Sequence, residues 1–172
     1  VDVEKAFFSP RLSTERERIA GLVKDGEVMI NMFGGVGMFS LLAAKNTSCT
    51  VYNIDLNPVA AQLCKENAQI NKLKGEVISL NGDATKVIDE QLTGKADRIL
   101  MLLPERSDEF LDSALNGLKN NGVIHYYSHM HADKKQDAPK LSEEHFMSVN
   151  KTNAEIITSR NVRPVGPRFY QT

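Results

Sequence analysis

A glycine-rich turn and two aspartates are the residues of this sequence whose types and spacing could hold a ligand. The turn lies in Asn31–Ser40, NMFGGVGMFS, between an apolar run and a helical pattern. Glycines there let the backbone approach a ligand, and the start of the helix offers unpaired N–H groups. Asp55 follows about 20 residues later, where a carboxylate can accept hydrogen bonds from ribose hydroxyls, and Asp83 ends the next apolar run. The set predicts a nucleoside site.

The nucleoside could belong to a dinucleotide or to S-adenosylmethionine. The dinucleotide fingerprint is G-x-G-x-x-G, with a pyrophosphate at the helix start. Here Gly34, Gly35 and Gly37 are followed by the bulky Met38 and Phe39, which fits that fingerprint poorly. The pattern x-x-F-x-G-x-G-x-F-S instead resembles the first motif of RNA-modifying class I methyltransferases. An NAD site and a plain tight turn are the alternatives.

Five short apolar runs alternate with helical patterns, which is typical of βαβ units and a parallel sheet. The predicted strands are 27–33, 50–55, 75–80, 97–103 and 122–128. Apolar residues recur at three- and four-residue spacing in the helices predicted between them, 37–45, 57–72, 83–92 and 107–121. In such an α/β fold, ligands bind beyond the carboxyl ends of the strands, which is where the glycine turn, Asp55 and Asp83 fall.

The two ends of the chain add further elements. A helix is predicted over 12–23, with Ser13 or Thr14 as its cap. A polar loop at 131–140 is expected to lead into a helix at 141–151, a sixth strand at 154–162 and the beginning of another strand from 168. The sequence starts without a methionine and stops within that last strand, so we expect a fragment of a longer chain.

The composition is that of one soluble, cytoplasmic domain. The chain has 172 residues, 41% of them hydrophobic, and a net charge of −1, and no apolar run approaches the roughly 20 residues of a bilayer span. Cys49 and Cys64 form neither a metal spacing nor a disulfide framework, so we expect two buried thiols in a reducing compartment. His129 and His131 have no further ligand at a suitable spacing, and no metal site is predicted.

Several segments resemble the tRNA (guanine-N1)-methyltransferase family, which methylates the guanosine just 3′ of the anticodon. They are FFSPRLSTERERI (7–19), NMFGGVGMFS (31–40), IDLNPVAAQLCKENAQINK (54–72), NGDA (81–84) and DRILMLLPERSDEFLDSAL (97–115). The resemblance covers nearly the whole chain. It implies a Rossmann-like class I methyltransferase fold: a mostly parallel seven-stranded sheet with helices on both faces, whose last, antiparallel strand is truncated here.

The resemblance also implies a domain division, a cofactor and a partner. Residues 1–24 would be the tail of a preceding domain with its linking helix, and residues 25–172 the catalytic domain that binds S-adenosylmethionine. The substrate would be tRNA, and we expect a monomer.

Individual residues take roles from the family's motifs. The cofactor set falls in the N-terminal segment, the glycine turn and the ends of the second and third strands: Phe7, Ser9, Arg11, Phe33, Gly35, Gly37, Asp55, Leu56, Asp83 and Ala84. Asn57 and Pro104 match positions near the target pocket. Glu15 matches the proposed general base, which would take the guanine N1 proton as the methyl group arrives. The alternative for Glu15 is a first-turn glutamate favoured by the helix dipole.

The sequence departs from the family's pattern at several positions. Leu102 stands where the family has an asparagine, and a leucine cannot hydrogen-bond a guanine edge. Asn31 replaces an aspartate, and Gly34 and Met38 replace an alanine and a proline. The family's catalytic arginine would lie upstream of residue 1. Two alternatives therefore stay open: a wybutosine-pathway enzyme, which methylates the tricyclic intermediate or transfers an aminocarboxypropyl group, and a cofactor-binding core that is inactive as a fragment.

Overall fold

The computed structural model describes residue 6 and residues 9–172 of the chain. It divides into two compact units, the first formed by the residues up to 102 together with 112–125, and the second by 103–111 together with 126–172. Phe7, which the resemblance assigns to the cofactor site, lies outside the described residues. The domain boundary predicted between residues 24 and 25 stays a prediction.

The first unit is built on a five-stranded sheet of order β3-β2-β1-β4-β5. Its strands are β1 (Val28–Asn31), β2 (Thr50–Asp55), β3 (Glu76–Asn81), β4 (Ala96–Met101) and β5 (Leu118–Tyr126). The pairings of β1 with β2, β1 with β4, and β2 with β3 are parallel. The strand order therefore reverses beside β1, between β2 and β4, and ligands of open α/β sheets bind at such a switch point. The predicted α/β class and the five strands are confirmed.

The helices follow the predicted alternation with the strands. They are α1 (Ser13–Leu22), α2 (Met38–Asn46), α3 (Pro58–Ile70), α4 (Ala84–Val87), α5 (Ser107–Gly117) and α6 (Ala138–Val149). A π-helical turn at Ile88–Leu92 continues α4.

The start of α1 differs from the prediction. Neither Ser13 nor Thr14 is the cap, because a 3₁₀ turn at Pro10–Leu12 runs directly into the helix and makes Leu12 the N-cap residue. The start of α3 agrees with it. Pro58 occupies the first turn, where a missing N–H costs nothing, and the Asn57 side chain accepts from the Val59 N–H at 3.0 Å.

The core of the first unit consists of the central strands and the helix faces that cover them. Met29, Ile30, Val51, Ile99 and Leu100 are completely buried, which explains why these strands are near-continuous apolar runs. The two cysteines belong to this interior as free, buried thiols, as predicted. Burial raises the pKa of Cys64 to about 11.

The second unit holds a three-stranded antiparallel sheet of order β6-β8-β7. Its strands are β6 (His129–His131), β7 (Arg163–Gly166) and β8 (Phe169–Gln171). The strand predicted from 168 is confirmed as β8, but the one predicted at 154–162 is wrong: that segment has no regular structure, and Ile157 within it is 80% exposed. The ladder begins only at Arg163, because a tight turn with Arg168 at φ 57° pairs β7 with β8.

The seven-stranded sheet with a truncated last strand is not confirmed, since the described residues form one sheet of five strands and one of three. No helix in the described part of the chain has the length and apolar character that crossing a membrane would require.

A buried arginine links three segments of the first unit. Arg98 is 7% exposed and donates to Glu27 Oε2 at 3.1 Å and to the Leu22 carbonyl at 3.0 Å. Its Nη1 also lies 2.8 Å from His125 Nε2. An arginine can only donate, so His125 accepts through Nε2 and is neutral with its proton on Nδ1. Burial, together with the Arg98 charge, lowers the pKa of His125 to about 3.

We therefore expect His125 to make stability depend on pH. In the unfolded chain its pKa is near 6.5, so between pH 6.5 and pH 3 the unfolded state binds more protons, and the free energy of unfolding falls as the pH falls. The loss approaches roughly 5 kcal/mol at its limit. His125→Gln keeps an acceptor for Arg98 and should remove this slope in urea unfolding curves, while His131→Gln, at an exposed strand position, should retain it. Parallel slopes for wild type and His125→Gln would contradict the assignment.

Candidate functional site

The glycine loop between β1 and α2 is fastened to the end of β2. The Gly34 N–H donates to the Ile54 carbonyl at 2.8 Å, and the Gly35 N–H donates to Asp55 Oδ2 at 2.7 Å. Gly35 and Gly37 have φ of 54° and 88°, left-handed values that a side chain would strain. The loop therefore curves over the carboxyl ends of β1 and β2 as the glycine spacing predicts.

Asp55 is the residue that organises this edge. Its Oδ2 accepts from Gly35 and its Oδ1 accepts from the Asn57 N–H at 2.9 Å. An ionised carboxylate offers about four lone-pair positions, so both oxygens retain capacity for a ligand. The side chain is half-buried, which leaves that capacity accessible. Asp55 can thus shape the loop and accept hydroxyl donors at the same time.

The ends of β2 and β3 lie side by side, with Asp55 in register with Asn81. Asn81 Nδ2 donates to the carbonyls of Asp55 and Leu56 at 3.0 and 3.1 Å, which fixes the turn after β2. The Leu56 side chain is 72% exposed there and offers an apolar surface to a flat ring. Asp83 caps α4 by accepting from the Lys86 N–H at 3.2 Å, and Ala84 behind it is buried.

Helix α3 and the N-terminal segment support the glycine loop. A Cβ at Gly37 would lie 2.5 Å from Cys64 Sγ. Ala6, Val36 and Ala60 form a small buried cluster, so the N-terminal segment reaches the loop at residue 6. Of the residues assigned to that segment, Ser9 is buried with its carbonyl accepting from Arg16 at 2.5 Å, and Arg11 is exposed.

Glu15 is a buried, ion-paired carboxylate in the first turn of α1. It is 4% exposed, and Arg18 donates to Oε1 at 2.6 Å and to Oε2 at 2.9 Å. This bidentate pairing offsets the desolvation of the charge. Arg16, its neighbour, lies over the ring of Phe39 at 5.6 Å.

The described cofactor residues of the loop and of the strand ends all belong to the first unit. The two residues assigned to the target pocket, Asn57 and Pro104, are divided between the two units. The first group is Phe33, Gly35, Gly37, Asp55, Leu56, Asp83 and Ala84. Asn57 joins them as the cap of α3. Pro104 belongs to the second unit, in a turn where Ser107 Oγ donates to the Leu103 carbonyl at 3.0 Å. Leu102, directly after β4, is partly exposed.

Sequence reasoning missed three asparagines, Asn53, Asn67 and Asn81, as site residues. Asn53 donates to the Gly35 carbonyl at 3.2 Å and Asn67 donates to the Val36 carbonyl at 3.1 Å, so both hold the loop. Asn81 holds the end of β2. For Asn53 the available signal was an asparagine inside a strand, where that residue type is disfavoured.

Comparison with known proteins identifies a family pattern over most of the chain. The TRM5/TYW2 methyltransferase domain matches residues 1–156. The chain is 39% identical over 171 residues to the tRNA (guanine(37)-N(1))-methyltransferase Trm5b of Methanocaldococcus jannaschii, covering 99% of the chain and 46% of that protein. It is also 39% identical over 171 residues to the tRNA 4-demethylwyosine(37)-methyltransferase Taw21 of Saccharolobus solfataricus, covering 99% and 62%. The chain thus spans less than two thirds of either relative.

Solved structures give the same fold. The M. jannaschii Trm5 structure in complex with adenosine matches with a TM-score of 0.84 and 36% identity, over 99% of this chain and 50% of that one. M. jannaschii TYW2 in complex with AdoMet matches with a TM-score of 0.83 and 30% identity, over 99% and 77%. A complex of aTrm5 with tRNALeu matches with a TM-score of 0.82 and 36% identity, over 99% and 47%.

The loop geometry makes a prediction about stability. Gly37→Ala should destabilise the chain more than Gly26→Ala. Both glycines have left-handed φ, 88° and 81°, so both variants carry a strain of about 1–2 kcal/mol. Only at Gly37 does the new Cβ meet a neighbour, Cys64 Sγ at 2.5 Å, and such overpacking adds roughly 1–3 kcal/mol. Denaturant unfolding measures the difference.

A second substitution checks the cause. Cys64→Ala removes the sulfur and should recover part of the extra loss in the Gly37→Ala background. Equal losses at the two glycines, or no recovery on removing the sulfur, would show that the contact between the loop and α3 does not limit residue 37.

Proposed function

Because the chain belongs to the TRM5/TYW2 methyltransferase domain family, we propose that it transfers the methyl group of S-adenosylmethionine to N1 of the tRNA guanosine 3′ of the anticodon. The observation that carries the proposal is the left-handed glycine loop bonded to Asp55 at the carboxyl edge of the sheet. The choice of base is supported by the 39% identity to the M. jannaschii guanine(37)-N(1) enzyme.

The residues of this edge fit an adenosyl group. Asp55 keeps lone pairs for the ribose hydroxyls, and the exposed Leu56 side chain can pack on the adenine ring. Asp83 can accept from the adenine amino group, with Ala84 beside it. Phe33, Gly35 and Gly37 would line the methionine side of the cofactor, together with Phe7, Ser9 and Arg11 from the N-terminal segment. Related structures with adenosine and with AdoMet support this assignment.

The chemistry asks two things of the protein. When bound, the cofactor supplies an electrophilic methyl carbon on a sulfonium ion, so the chain has to hold the base in line with it. It also has to remove the N1 proton, and we assign that step to Glu15, which is buried and paired with Arg18. A carboxylate has about four lone-pair positions, and one of them would accept the proton as the N1–C bond forms.

The target nucleoside has to be accessible. The N1 edge of guanine is engaged in duplex pairing, so the base must be unpaired or turned out of its stack, which an anticodon loop permits. We assign a role in binding the target base to Asn57 of the first unit and, separately, to Pro104 of the second. tRNA as the partner is supported by the related complex with tRNALeu. We further propose that the protein acts as a monomer in the cytoplasm and that its complete sheet has seven strands.

A wybutosine-pathway activity is the second candidate. The observation that favours it is Leu102, an apolar residue directly after β4 where the family pattern has an asparagine. A leucine there suits a larger, less polar base edge better than the guanine edge. The 39% identity to the 4-demethylwyosine methyltransferase Taw21 equals the identity to the guanine(37)-N(1) enzyme over the same length, so only the product of the reaction separates the two.

The cofactor assignment predicts a loss of binding on changing Asp55. Asp55→Asn in the full-length protein should raise the dissociation constant for S-adenosylmethionine by about 10- to 100-fold, because hydrogen bonds to a charged acceptor contribute roughly 1.5–3 kcal/mol. Isothermal titration calorimetry measures it. Asp25→Asn is the matched control, since Asp25 also accepts from a backbone N–H, that of Ser48 at 2.8 Å, but in an exposed turn. Equal affinities for the Asp55 variant and wild type would refute the site.

The reaction itself predicts a product. Full-length enzyme incubated with unmodified tRNA and S-adenosylmethionine should yield 1-methylguanosine by nucleoside mass spectrometry. Glu15→Gln should lower the rate about 10²- to 10⁴-fold, the range for loss of a general base. Glu17→Gln, an exposed glutamate of the same helix, should leave the rate unchanged.

Other masses identify the alternatives. If unmodified tRNA stays unchanged while tRNA carrying the tricyclic base gains a methyl or an aminocarboxypropyl group, the guanine-N1 proposal is wrong. If residues 1–172 alone methylate tRNA, the inactive-core alternative is wrong.

A further inference from the structure

We propose that Asn53 is a positioning residue of the cofactor site, where its buried amide sets the orientation of the Gly35 peptide. The inference rests on the proposed function, because it concerns the loop assigned to S-adenosylmethionine. Asn53 itself is completely buried, so it acts on the cofactor through the loop rather than by touching it.

The contacts of Asn53 run along a chain of buried polar groups under the loop. Asn53 lies in β2 in register with Asn31 of β1. Ser40 Oγ, from the first turns of α2, lies 2.6 Å from Asn53 Oδ1, and Asn31 Nδ2 lies 3.2 Å from Ser40 Oγ. Asn31, Ser40 and Asn53 are all 0% exposed. Three elements of the first unit therefore meet in one polar cluster directly beneath the glycines.

The Gly35 carbonyl, the last group in this row of hydrogen bonds, determines the direction of every bond in the row. The Gly35 carbonyl can only accept, so Asn53 must present Nδ2 to it, at 3.2 Å, and Oδ1 to Ser40. The Ser40 hydroxyl then donates to Asn53, and its oxygen accepts from Asn31. Position 31 consequently needs a donor, which an amide supplies and an ionised aspartate does not. This accounts for the asparagine at the end of β1.

Gly34 is the second half of the arrangement. A Cβ at residue 34 would overlap the Asn53 side chain, with its Nδ2 2.5 Å away and the rest of the amide nearer still. The loop can pass over Asn53 only because residue 34 has no side chain. Gly34 and Asn53 are thus a matched pair, in which the amide occupies the volume that a methyl group at position 34 would fill.

The functional consequence lies in the Gly35 peptide. Its N–H donates to Asp55 Oδ2 and its carbonyl accepts from Asn53 Nδ2. Side chains of β2 therefore hydrogen-bond both polar groups of this residue. Without Asn53 the Gly35 carbonyl loses its side-chain donor. The loop keeps its bonds from Gly34 to Ile54 and from Asn67 to Val36, but the Gly35 peptide is then oriented by its N–H bond to Asp55. Part of the free energy of cofactor binding would then be used to order the loop, and the affinity for the cofactor would fall.

The test separates this positioning role from simple packing. It uses the full-length protein and three variants, Asn53→Ala, Gly34→Ala and the double variant, with dissociation constants for S-adenosylhomocysteine by calorimetry, melting temperatures, and KM and kcat with tRNA. Asn53→Ala should raise the dissociation constant and the KM for S-adenosylmethionine roughly 5- to 30-fold, as expected for about 1–2 kcal/mol, with kcat within about twofold of wild type. Gly34→Ala alone should lower both affinity and melting temperature through the overlap.

The double variant decides the matter. The methyl group introduced at residue 34 refills the space left by the Asn53 amide, so the melting temperature should return toward wild type, while the dissociation constant stays raised because the Gly35 carbonyl still lacks its donor. Asn71→Ala is the matched control: Asn71 also donates to a backbone carbonyl, that of Asn67 at 2.7 Å, but at the exposed end of α3, and the variant should bind S-adenosylhomocysteine like wild type.

Two results would overturn the inference alone. One is wild-type affinity in Asn53→Ala, and the other is affinity that returns together with the melting temperature in the double variant, which would make Asn53 a packing residue. A wild-type protein that binds no S-adenosylhomocysteine would instead remove the proposed function, and this inference with it.

Discussion

The attachment of the Gly35 peptide to β2 is the interaction on which the rest of the site depends. The Gly35 N–H donates a hydrogen bond to Asp55, and Asn53 donates one to the Gly35 carbonyl. Gly35 and Gly37 both adopt left-handed backbone conformations. The turn bond within the loop, from the Gly37 N–H to the Gly34 carbonyl at 3.0 Å, does not by itself order the loop relative to the sheet. The strand supplies that order, and it places the loop over the edge where the ends of β2 and β3 also lie.

This arrangement puts polar groups where a sheet usually has apolar ones. Burying Asn31, Ser40 and Asn53 costs free energy unless their hydrogen bonds are made, and the chain from Asn31 to the Gly35 carbonyl makes most of them. The exception is Asn31 Oδ1, which is buried and has no hydrogen-bond partner among the described residues. The hydrogen bonds that are made rigidify the core around them, and here they lie under the glycine loop.

Charge is handled differently in the two carboxylate environments of the first unit. Glu15 is paired with Arg18 of its own helix, so a full positive charge faces it. Asp55 is compensated by backbone N–H groups instead. Backbone dipoles suit an acceptor of neutral ribose hydroxyls, the role proposed for Asp55, whereas Glu15 would accept a proton.

The amino-acid sequence by itself determined the alternation of strands and helices, the glycine loop, and the family to which the chain belongs. These features are local: apolar periodicity, turn residues and short motifs are readable within a few residues of each position. The placement of Asp55 at the same edge as the loop also followed from them, because parallel strands share one carboxyl edge.

Tertiary structure alone decided which residues meet under the loop. Asn53 and Gly35 are 18 positions apart and Asn31 and Asn53 are 22 apart, and nothing in the local pattern of β2 says that its asparagine faces a glycine rather than a helix. The strand expected at 154–162 was wrong for the same reason, since β-structure needs a partner, and the segment that pairs with β8 is Arg163–Gly166. Contacts between distant segments are set by how whole elements pack, and a sequence read along its length does not contain that geometry in any one place.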